Sequence, residues 1–185
     1  MSRLTPLEIE NLSPEMQKIV AQVTSDMGFT PNDMLIMARD PMLAGALGQL
    51  VNAIYKSGAL SIELKKMVAL MSSSAAGCQY CQAHNTHGAL ETGIAAEKLE
   101  SIWSYPDNEL FSNEERAALD VARAASLTPN EVTDEMFGLL KEYFSEDQII
   151  ELVGVISLFG FLNRWNSTFK TEVESVPAAS ALDAK

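Results

Sequence analysis

The chain has 185 residues, enough for one domain with a substantial core, and its 47% hydrophobic and 21% charged residues are typical of a globular protein. A formal net charge of −12 repels nucleic acid and anionic lipid, so we expect neither as a partner. The N-terminus lacks a signal-peptide pattern, and the longest apolar run, 149–162, contains Glu151 and two small residues. We therefore expect no membrane span and a cytoplasmic location.

Helix-forming patterns dominate the chain, and no alternating run of apolar and polar residues predicts a strand. Serine residues mark several helix starts, because a serine hydroxyl can accept hydrogen bonds from the first free N–H groups. Four of the predicted helices begin after a serine: after Ser13 (ending at Gly28), after Ser61, after Ser112, and after Ser145 (ending at about Phe169). The other five span residues 32–39, 41–56, 78–91, 95–103 and 133–143. These patterns predict an all-α, single-domain protein.

The domain organisation follows from the same patterns. We expect a helical arm over residues 1–29 and a helical domain over residues 30–170. Residues 171–185 are rich in small residues and contain a proline, which predicts a flexible tail.

Two helices of the predicted domain have related patterns, LSIELKKMVALMSS from Leu60 and FSEDQIIELVGVISL from Phe144, which suggests two similar halves. The second of these helices is apolar almost all round from Ile149 to Phe161. Such a helix must be covered by its own domain or by a neighbouring subunit, so we expect a homo-oligomer.

Both cysteines and both histidines of the chain fall within the segment CQYCQAHNTH. Successive members are three residues apart, so on a helix His87 would point about 180° away from Cys78. Four ligands so arranged cannot close a tetrahedron around one metal ion. We therefore predict neither a metal nor a cofactor.

Thiol redox chemistry fits this spacing better. Cys78 and Cys81 lie at the start of a predicted helix, within disulfide reach after a modest adjustment of the first turn. The positive end of the helix dipole lowers a cysteine pKa, and Cys78 is nearest to it. His84, one turn after Cys81, can accept the Cys81 proton or stabilise its thiolate. Such a pair can reduce a peroxide through a sulfenic acid that the second cysteine resolves as a disulfide.

A purely structural role for the two cysteines is the alternative, because cysteine is among the most buried residue types. The polar residues around the pair, such as Gln79 and Gln82, argue against it. His87 is interpreted as a structural histidine held by hydrogen bonds.

The segment CQYCQAH resembles the motif of the alkyl hydroperoxidase D-like (AhpD-like) family, which also contains carboxymuconolactone decarboxylases. The closer likeness is to the peroxidase-related branch of that family. The segments FSNEERAALDVARAAS and FSEDQIIELVGVISLFGFLNRWN also match the order of the family's elements, and the likeness covers roughly residues 30–170.

The resemblance implies a helical trimer or hexamer that reduces a small hydroperoxide and is recycled by a thiol or dithiol donor. It also implies that Cys81 is the attacking thiolate and Cys78 the resolving partner.

Two positions depart from the family's pattern. The family's histidine position holds Asn85, and His84 lies one residue earlier; the family's relay glutamate position holds Lys66. Glu63, one turn before Lys66, is a candidate substitute, although an acid in a first turn can also simply stabilise the helix N-terminus.

We therefore predict a cysteine-dependent peroxidase-like oxidoreductase with Cys81, Cys78, His84 and Glu63 as its catalytic residues. Two alternatives stay open. One is a non-catalytic helical oligomer whose dithiol senses oxidation. The other is a carboxymuconolactone decarboxylase-like enzyme acting on a small organic acid, for which Arg164 is the candidate cation.

Overall fold

The computed structural model describes residues 1–56 and 58–180. Those residues form ten α-helices and two short 3-10 turns, at Ile9–Asn11 and Ile102–Ser104, and no β-strand. The helices are α1 (Pro14–Met27), α2 (Asn32–Met37), α3 (Pro41–Lys56), α4 (Ile62–Ala75), α5 (Gln79–Glu91), α6 (Ala96–Glu100), α7 (Asn113–Ala125), α8 (Asp134–Tyr143), α9 (Glu146–Phe169) and α10 (Ser175–Ala179). The predicted all-α fold is confirmed.

Local capping places most helix ends where the sequence predicts them. The Ser13 hydroxyl accepts a hydrogen bond from the Met16 N–H, and Gly28 ends α1 in the left-handed conformation with φ of 77°. Ser112 and Ser145 each form a complete capping box. These ends are predictable because cap and partner lie within one turn.

The segment predicted as one helix over 95–103 is instead divided. Helix α6 ends at Glu100, and Ser101 has a non-helical backbone with φ of −87° and ψ of 8°. The chain continues as a 3-10 turn, in which the Ser104 N–H donates to the Ser101 carbonyl.

Helix α4 lies at the centre of the fold and packs against α5, α7 and α9. Nine of its fourteen residues are buried, among them Met67, Val68, Ala69 and Met71. Because each fully buried aliphatic side chain contributes about 1.5–3 kcal/mol, this helix anchors the core. Near the N-terminus, α1 and α2 share a smaller apolar cluster that contains Met16 and Leu35.

Helix α9 is covered by its own domain on one face only. Leu152, Val155 and Leu158 are buried, whereas Ile150 is 74% exposed and Phe161 is 38% exposed. This exposed apolar face is compatible with the expected homo-oligomer, which stays a prediction. No helix in the described ranges is long and apolar enough to cross a membrane.

Part of the C-terminal segment, for which the composition predicts a flexible tail, is helical and packs against the domain. Residues Ser175–Ala179 form α10, which packs against α5, and Thr171 and Pro177 are buried. The chain turns back at Lys170, whose φ is 50°, and so returns across the start of α5. The small residues that suggest looseness permit this close packing; residues 181–185 lie outside the described ranges.

Candidate active site

A tight turn between α4 and α5 places Cys78 at the start of α5. Gly77 adopts φ of 68°, a left-handed conformation that glycine tolerates and that reverses the chain within three residues. Cys78 is the N-cap of α5, and its Sγ accepts a hydrogen bond from the Cys81 N–H at 3.4 Å. The sulfur therefore lies where free N–H groups and the helix dipole favour a negative charge.

The two cysteines are free thiols, and their pKa values are shifted in opposite directions. A hydrogen bond from the Cys81 thiol lowers the pKa of Cys78 to about 7, with smaller contributions from the Cys81 N–H and the Ser167 hydroxyl. The same bond, together with burial, raises the pKa of Cys81. Of the two sulfurs, Cys78 is therefore the one that ionises near neutral pH, and Cys81 is the thiol that donates to it.

Both sulfurs are buried, but the layer over Cys78 is thin. Cys78 is 1% exposed and Cys81 is 3% exposed. Ala76 and Gly77, immediately before Cys78, are exposed, and so is Ser167, which contacts the Cys78 sulfur. Ala76, Gly77 and Ser167 all have small side chains or none.

A cluster of carboxyl groups surrounds the hydroxyl of Tyr80, one position before Cys81. The Tyr80 Oη lies 3.1 Å from Asp33 Oδ1 and 2.9 Å from Glu174 Oε1. A phenol has one proton and cannot donate to both carboxyl groups at once. One of the two carboxyl groups must therefore carry a proton if both contacts are hydrogen bonds.

Asp33 is the carboxyl group that holds this proton most readily. Burial raises the pKa of Asp33, and the negative charge of Glu174 adds to the rise, although nearby His84 opposes it. Burial alone would raise the pKa of Glu174 too, but the hydrogen bond and charge of His84 outweigh burial and lower it. The cluster thus pairs Asp33, whose protonated form is favoured by burial, with Glu174, whose carboxylate form is favoured by His84.

His84 contacts Glu174 rather than a sulfur atom. Its Nε2 lies 2.6 Å from Glu174 Oε2, its ring stacks on Tyr80 with centroids 4.1 Å apart, and Phe29 packs edge-on against it at 5.2 Å. The sequence predicts His84 as a direct helper of Cys81. The geometry makes it the partner of a carboxylate from the C-terminal segment.

Asn166, on α9, connects the carboxyl cluster to the thiols. Its Nδ2 donates to Asp33 Oδ2 at 3.2 Å and lies 3.5 Å from the Cys81 sulfur. Asp33 is therefore connected to α5 twice, through Tyr80 and through Asn166.

Glu63 and Lys66 lie at the other end of α4, away from the sulfurs. Helices α4 and α5 run antiparallel, since Asn85 donates to Ser73 near the end of α4 and Lys66 approaches Gly88 near its start. Gly88 lies seven residues after Cys81, about 10 Å along the helix. Glu63 is exposed on the first turn of α4, and the structure does not bring it to the thiols.

His87 and Arg164 make contacts outside the thiol cluster. His87 Nδ1 is 2.9 Å from Ser180 Oγ, which fits the structural histidine that the sequence suggests. The Arg164 guanidinium is exposed and donates to the Gly160 carbonyl of its own helix. Within the described ranges, no three His, Cys, Asp or Glu side chains come together as a candidate metal site.

The site also contains residues that the sequence does not reveal: Asp33, Asn166, Ser167 and Glu174. They come from α2, from α9 and from the segment before α10, so no local spacing links them to the motif. The one usable signal is the pair of asparagines near the end of the apolar helix α9, because a buried amide usually has a specific partner.

Comparisons with known proteins agree with this fold. A sequence model of the carboxymuconolactone decarboxylase family matches residues 41–131. The structure of the debrominase Bmp8 is 36% identical, with a TM-score of 0.88, and the match covers 95% of this chain and 94% of Bmp8. A cysteine-to-alanine variant of Bmp8 has been solved in complex with 2,3,4-tribromopyrrole.

Two further proteins extend the comparison. A peroxidase-related protein from Ralstonia eutropha JMP134 with the alkylhydroperoxidase AhpD core is 22% identical, with a TM-score of 0.86 over 95% of this chain and 94% of that one, and it shares the fold. The uncharacterized protein YnjA of Escherichia coli (strain K12) is 33% identical over 90 residues. That match spans 49% of this chain and 50% of YnjA, so this chain matches about half of that relative.

The helical fold and its matches define an AhpD-like protein. The chain belongs to the carboxymuconolactone decarboxylase family.

Proposed function

We propose that the protein is a dithiol-dependent reductase in which Cys78 attacks the substrate and Cys81 resolves the product. The observation that carries this proposal is the pair of hydrogen bonds that Cys81 donates to the Cys78 sulfur at the start of α5. They stabilise the thiolate and also hold the resolving thiol beside it. This order of the two cysteines is the reverse of the one that the family resemblance implies.

A halogenated aromatic ring is the substrate class that the comparisons favour, because Bmp8, a debrominase, is 36% identical over nearly the whole chain. The Cys78 thiolate would take the halogen, forming a sulfur–halogen bond as the carbon–halogen bond breaks, and the carbon would receive a proton. The Cys81 thiol would then attack the Cys78 sulfur, which releases halide and a proton and forms the disulfide. The ring gains two electrons, and an external thiol or dithiol donor restores the protein.

Reduction of a small hydroperoxide is the second candidate, and the motif CQYCQAH supports it. The thiolate would attack the peroxide oxygen, giving a sulfenic acid on Cys78 and an alkoxide that takes up a proton to become an alcohol. Cys81 would displace water from the sulfenic acid and form the same disulfide. In both candidate reactions a thiolate takes an electrophilic atom, halogen or oxygen, from the substrate. The same pair of cysteines could therefore carry out either reaction.

Each candidate reaction needs a proton at the substrate, and Asp33 is the proposed source. It is the carboxyl group of the cluster whose pKa is raised, and Asn166 links it to the Cys81 sulfur. Tyr80 and the Glu174–His84 pair would restore its proton through the hydrogen bonds that join them.

The experiment follows both cysteines separately. Reduced wild-type protein, Cys78→Ser and Cys81→Ser are mixed with 2,3,4-tribromopyrrole or cumene hydroperoxide, with dithiothreitol as the donor. We expect Cys78→Ser to lose at least about a thousandfold in turnover, the usual scale for a lost nucleophile. Cys81→Ser should keep the first chemical step. In the absence of dithiothreitol, water would hydrolyse the sulfur–bromine bond on Cys78 and release one bromide ion per chain, and either substrate would leave one dimedone-reactive sulfenic acid per chain.

Unchanged turnover in both variants would remove the proposal. A first step that survives in Cys78→Ser but not in Cys81→Ser would restore the order that the resemblance implies. A single oxidation without donor-dependent turnover would identify a redox sensor, and activity that survives alkylation of both thiols would favour the decarboxylase alternative.

A further inference from the structure

A cleft of about 710 Å³ opens between the end of α4, helix α7 with the loop that follows it, and helix α9. Its walls include Ala76, Val121, Ile156, Gly160 and Asn163. This volume lies in the range of small-molecule sites, which commonly span about 300–1,000 Å³.

The inner end of the cleft reaches the residues that cover Cys78. Ala76 lines the cleft and lies two residues before Cys78. Asn163 lies one helical turn before Ser167, so the two share a face of α9, and the Ser167 hydroxyl contacts the Cys78 sulfur. Ser167 is exposed, and Cys78 itself is 1% exposed, so this serine lies between the surface and the sulfur.

The cleft has apolar walls and one buried polar group with unused capacity. Val121 and Ile156 are buried, and Asn163 is 3% exposed. The Asn163 amide nitrogen donates to the Ser72 carbonyl at 3.3 Å, which fixes the orientation of the amide. The amide oxygen then faces no donor among the described residues. A ligand with an N–H or O–H group would satisfy this acceptor.

We propose that this cleft is the substrate-binding site of the Cys78 reaction and that it binds a small, flat, apolar ring bearing an N–H donor, such as a halogenated pyrrole. This inference rests on the proposed function and deepens it. The apolar walls would hold the ring, Asn163 would accept its N–H, and the ring edge would point along α9 towards Ser167 and Cys78.

The test measures binding without turnover. Titration calorimetry follows 2,3,4-tribromopyrrole binding to Cys78→Ser, alone and combined with Ser157→Trp. Ser157 is exposed and lines the cleft, so a tryptophan there fills the space without entering the core. We expect Ser157→Trp to raise Kd at least tenfold. Ile150→Trp, on the exposed part of α9 outside the cleft, serves as the matched control and should leave Kd within twofold.

An unchanged Kd in Ser157→Trp, or no binding to Cys78→Ser, would overturn the proposal. Light scattering supplies a second readout. If Ser157→Trp changes the oligomeric mass and Ile150→Trp does not, another copy of the chain occupies the cleft and the proposal is again overturned. If the ring binds in a manner that Ser157→Trp weakens, yet wild-type protein never releases bromide, the site stands and the proposed debromination fails.

Discussion

Two buried polar clusters lie at opposite ends of α4, and they differ in how their hydrogen bonds balance. At the start of the helix, Lys65 Nζ contacts the Ile54 carbonyl at 2.8 Å and Glu151 Oε2 at 2.9 Å. The two Glu151 oxygens also accept the N–H groups of Ala59 and Leu60. Each of these contacts pairs a donor with an acceptor, so this cluster joins α3, α4 and α9 as a structural element.

The cluster at the other end, around Tyr80, has more acceptors than protons. One phenolic hydrogen faces two carboxyl groups, and near them lies the Cys78 sulfur, whose pKa is lowered to about 7. A network that depends on where one proton lies can exchange that proton with a substrate, whereas a fully matched ion pair has nothing to exchange. The balance of protons, rather than burial or charge alone, distinguishes the candidate active site from the structural cluster.

The largest predicted effect concerns the structural cluster. Lys65→Met removes the cation and leaves Glu151 without its ion pair, so we expect a loss of about 3–5 kcal/mol in the free energy of unfolding. Urea denaturation measures this loss, with Lys141→Met as the control, because that lysine is 53% exposed and its ion pair contributes within about 0.5 kcal/mol. A loss below about 1 kcal/mol in Lys65→Met would contradict the structural role.

The second predicted effect concerns the pKa of the Cys78 thiol in the candidate active site. The hydrogen bond from Cys81 lowers the pKa of Cys78 to about 7, so the alkylation rate of wild-type protein should rise with pH through about 7 and then level off. Cys81→Ala removes this donor and should raise the pKa of Cys78 by about 1–2 units, the scale of a hydrogen bond to a charged group. Thiolate ultraviolet absorbance measures the shift.

Cys81→Ser is the matched control for this measurement, because a hydroxyl can replace the thiol as donor. It should keep most of the lowered pKa of Cys78. An equal pKa in wild type and Cys81→Ala would show that the helix terminus alone sets the thiolate.

The smallest predicted effect concerns the carboxylate of the C-terminal segment. Glu174→Gln should lower the free energy of unfolding by about 1–2 kcal/mol at pH 7, because the charged hydrogen bond to His84 is lost. Since folding lowers the pKa of Glu174, its contribution is present above the unfolded pKa of about 4.3 and is lost as pH falls through the folded value. The two denaturation curves should therefore converge in acid.

Glu172→Gln is the control for Glu174→Gln, since the Glu172 side chain is 63% exposed and close to the same segment. Its unfolding free energy should match that of wild type. Equal losses in both variants would mean that the segment, rather than the Glu174–His84 pair, sets the stability.

The fold could be predicted from the sequence wherever a helix end depends on neighbours in the chain. Ser13, Ser112 and Ser145 each find their hydrogen-bond partner three residues later, so a short pattern suffices. The segment after α9 could not be predicted in this way. Its order comes from contacts with α5 and α2, which lie far away along the chain.

The candidate site divides along the same line. Cys78, Cys81 and His84 are visible in one helical segment, and their spacing alone indicates thiol chemistry. Asp33 and Glu174 are separated from Tyr80 by 47 and 94 residues, and no periodicity connects them. The order of attack also depends on tertiary detail, because the Ser167 contact and the Cys81 thiol geometry exist only in the folded chain.

The return of the chain at Lys170 has a consequence for biosynthesis. Glu174 follows the last core helix, so a nascent polypeptide whose first 170 residues have left the ribosome has both thiols but lacks the carboxylate that holds His84. The contact between Glu174 and His84 forms only after this late segment has docked against α5. Translation thus supplies Asp33 and the two thiols before the carboxylate that contacts His84.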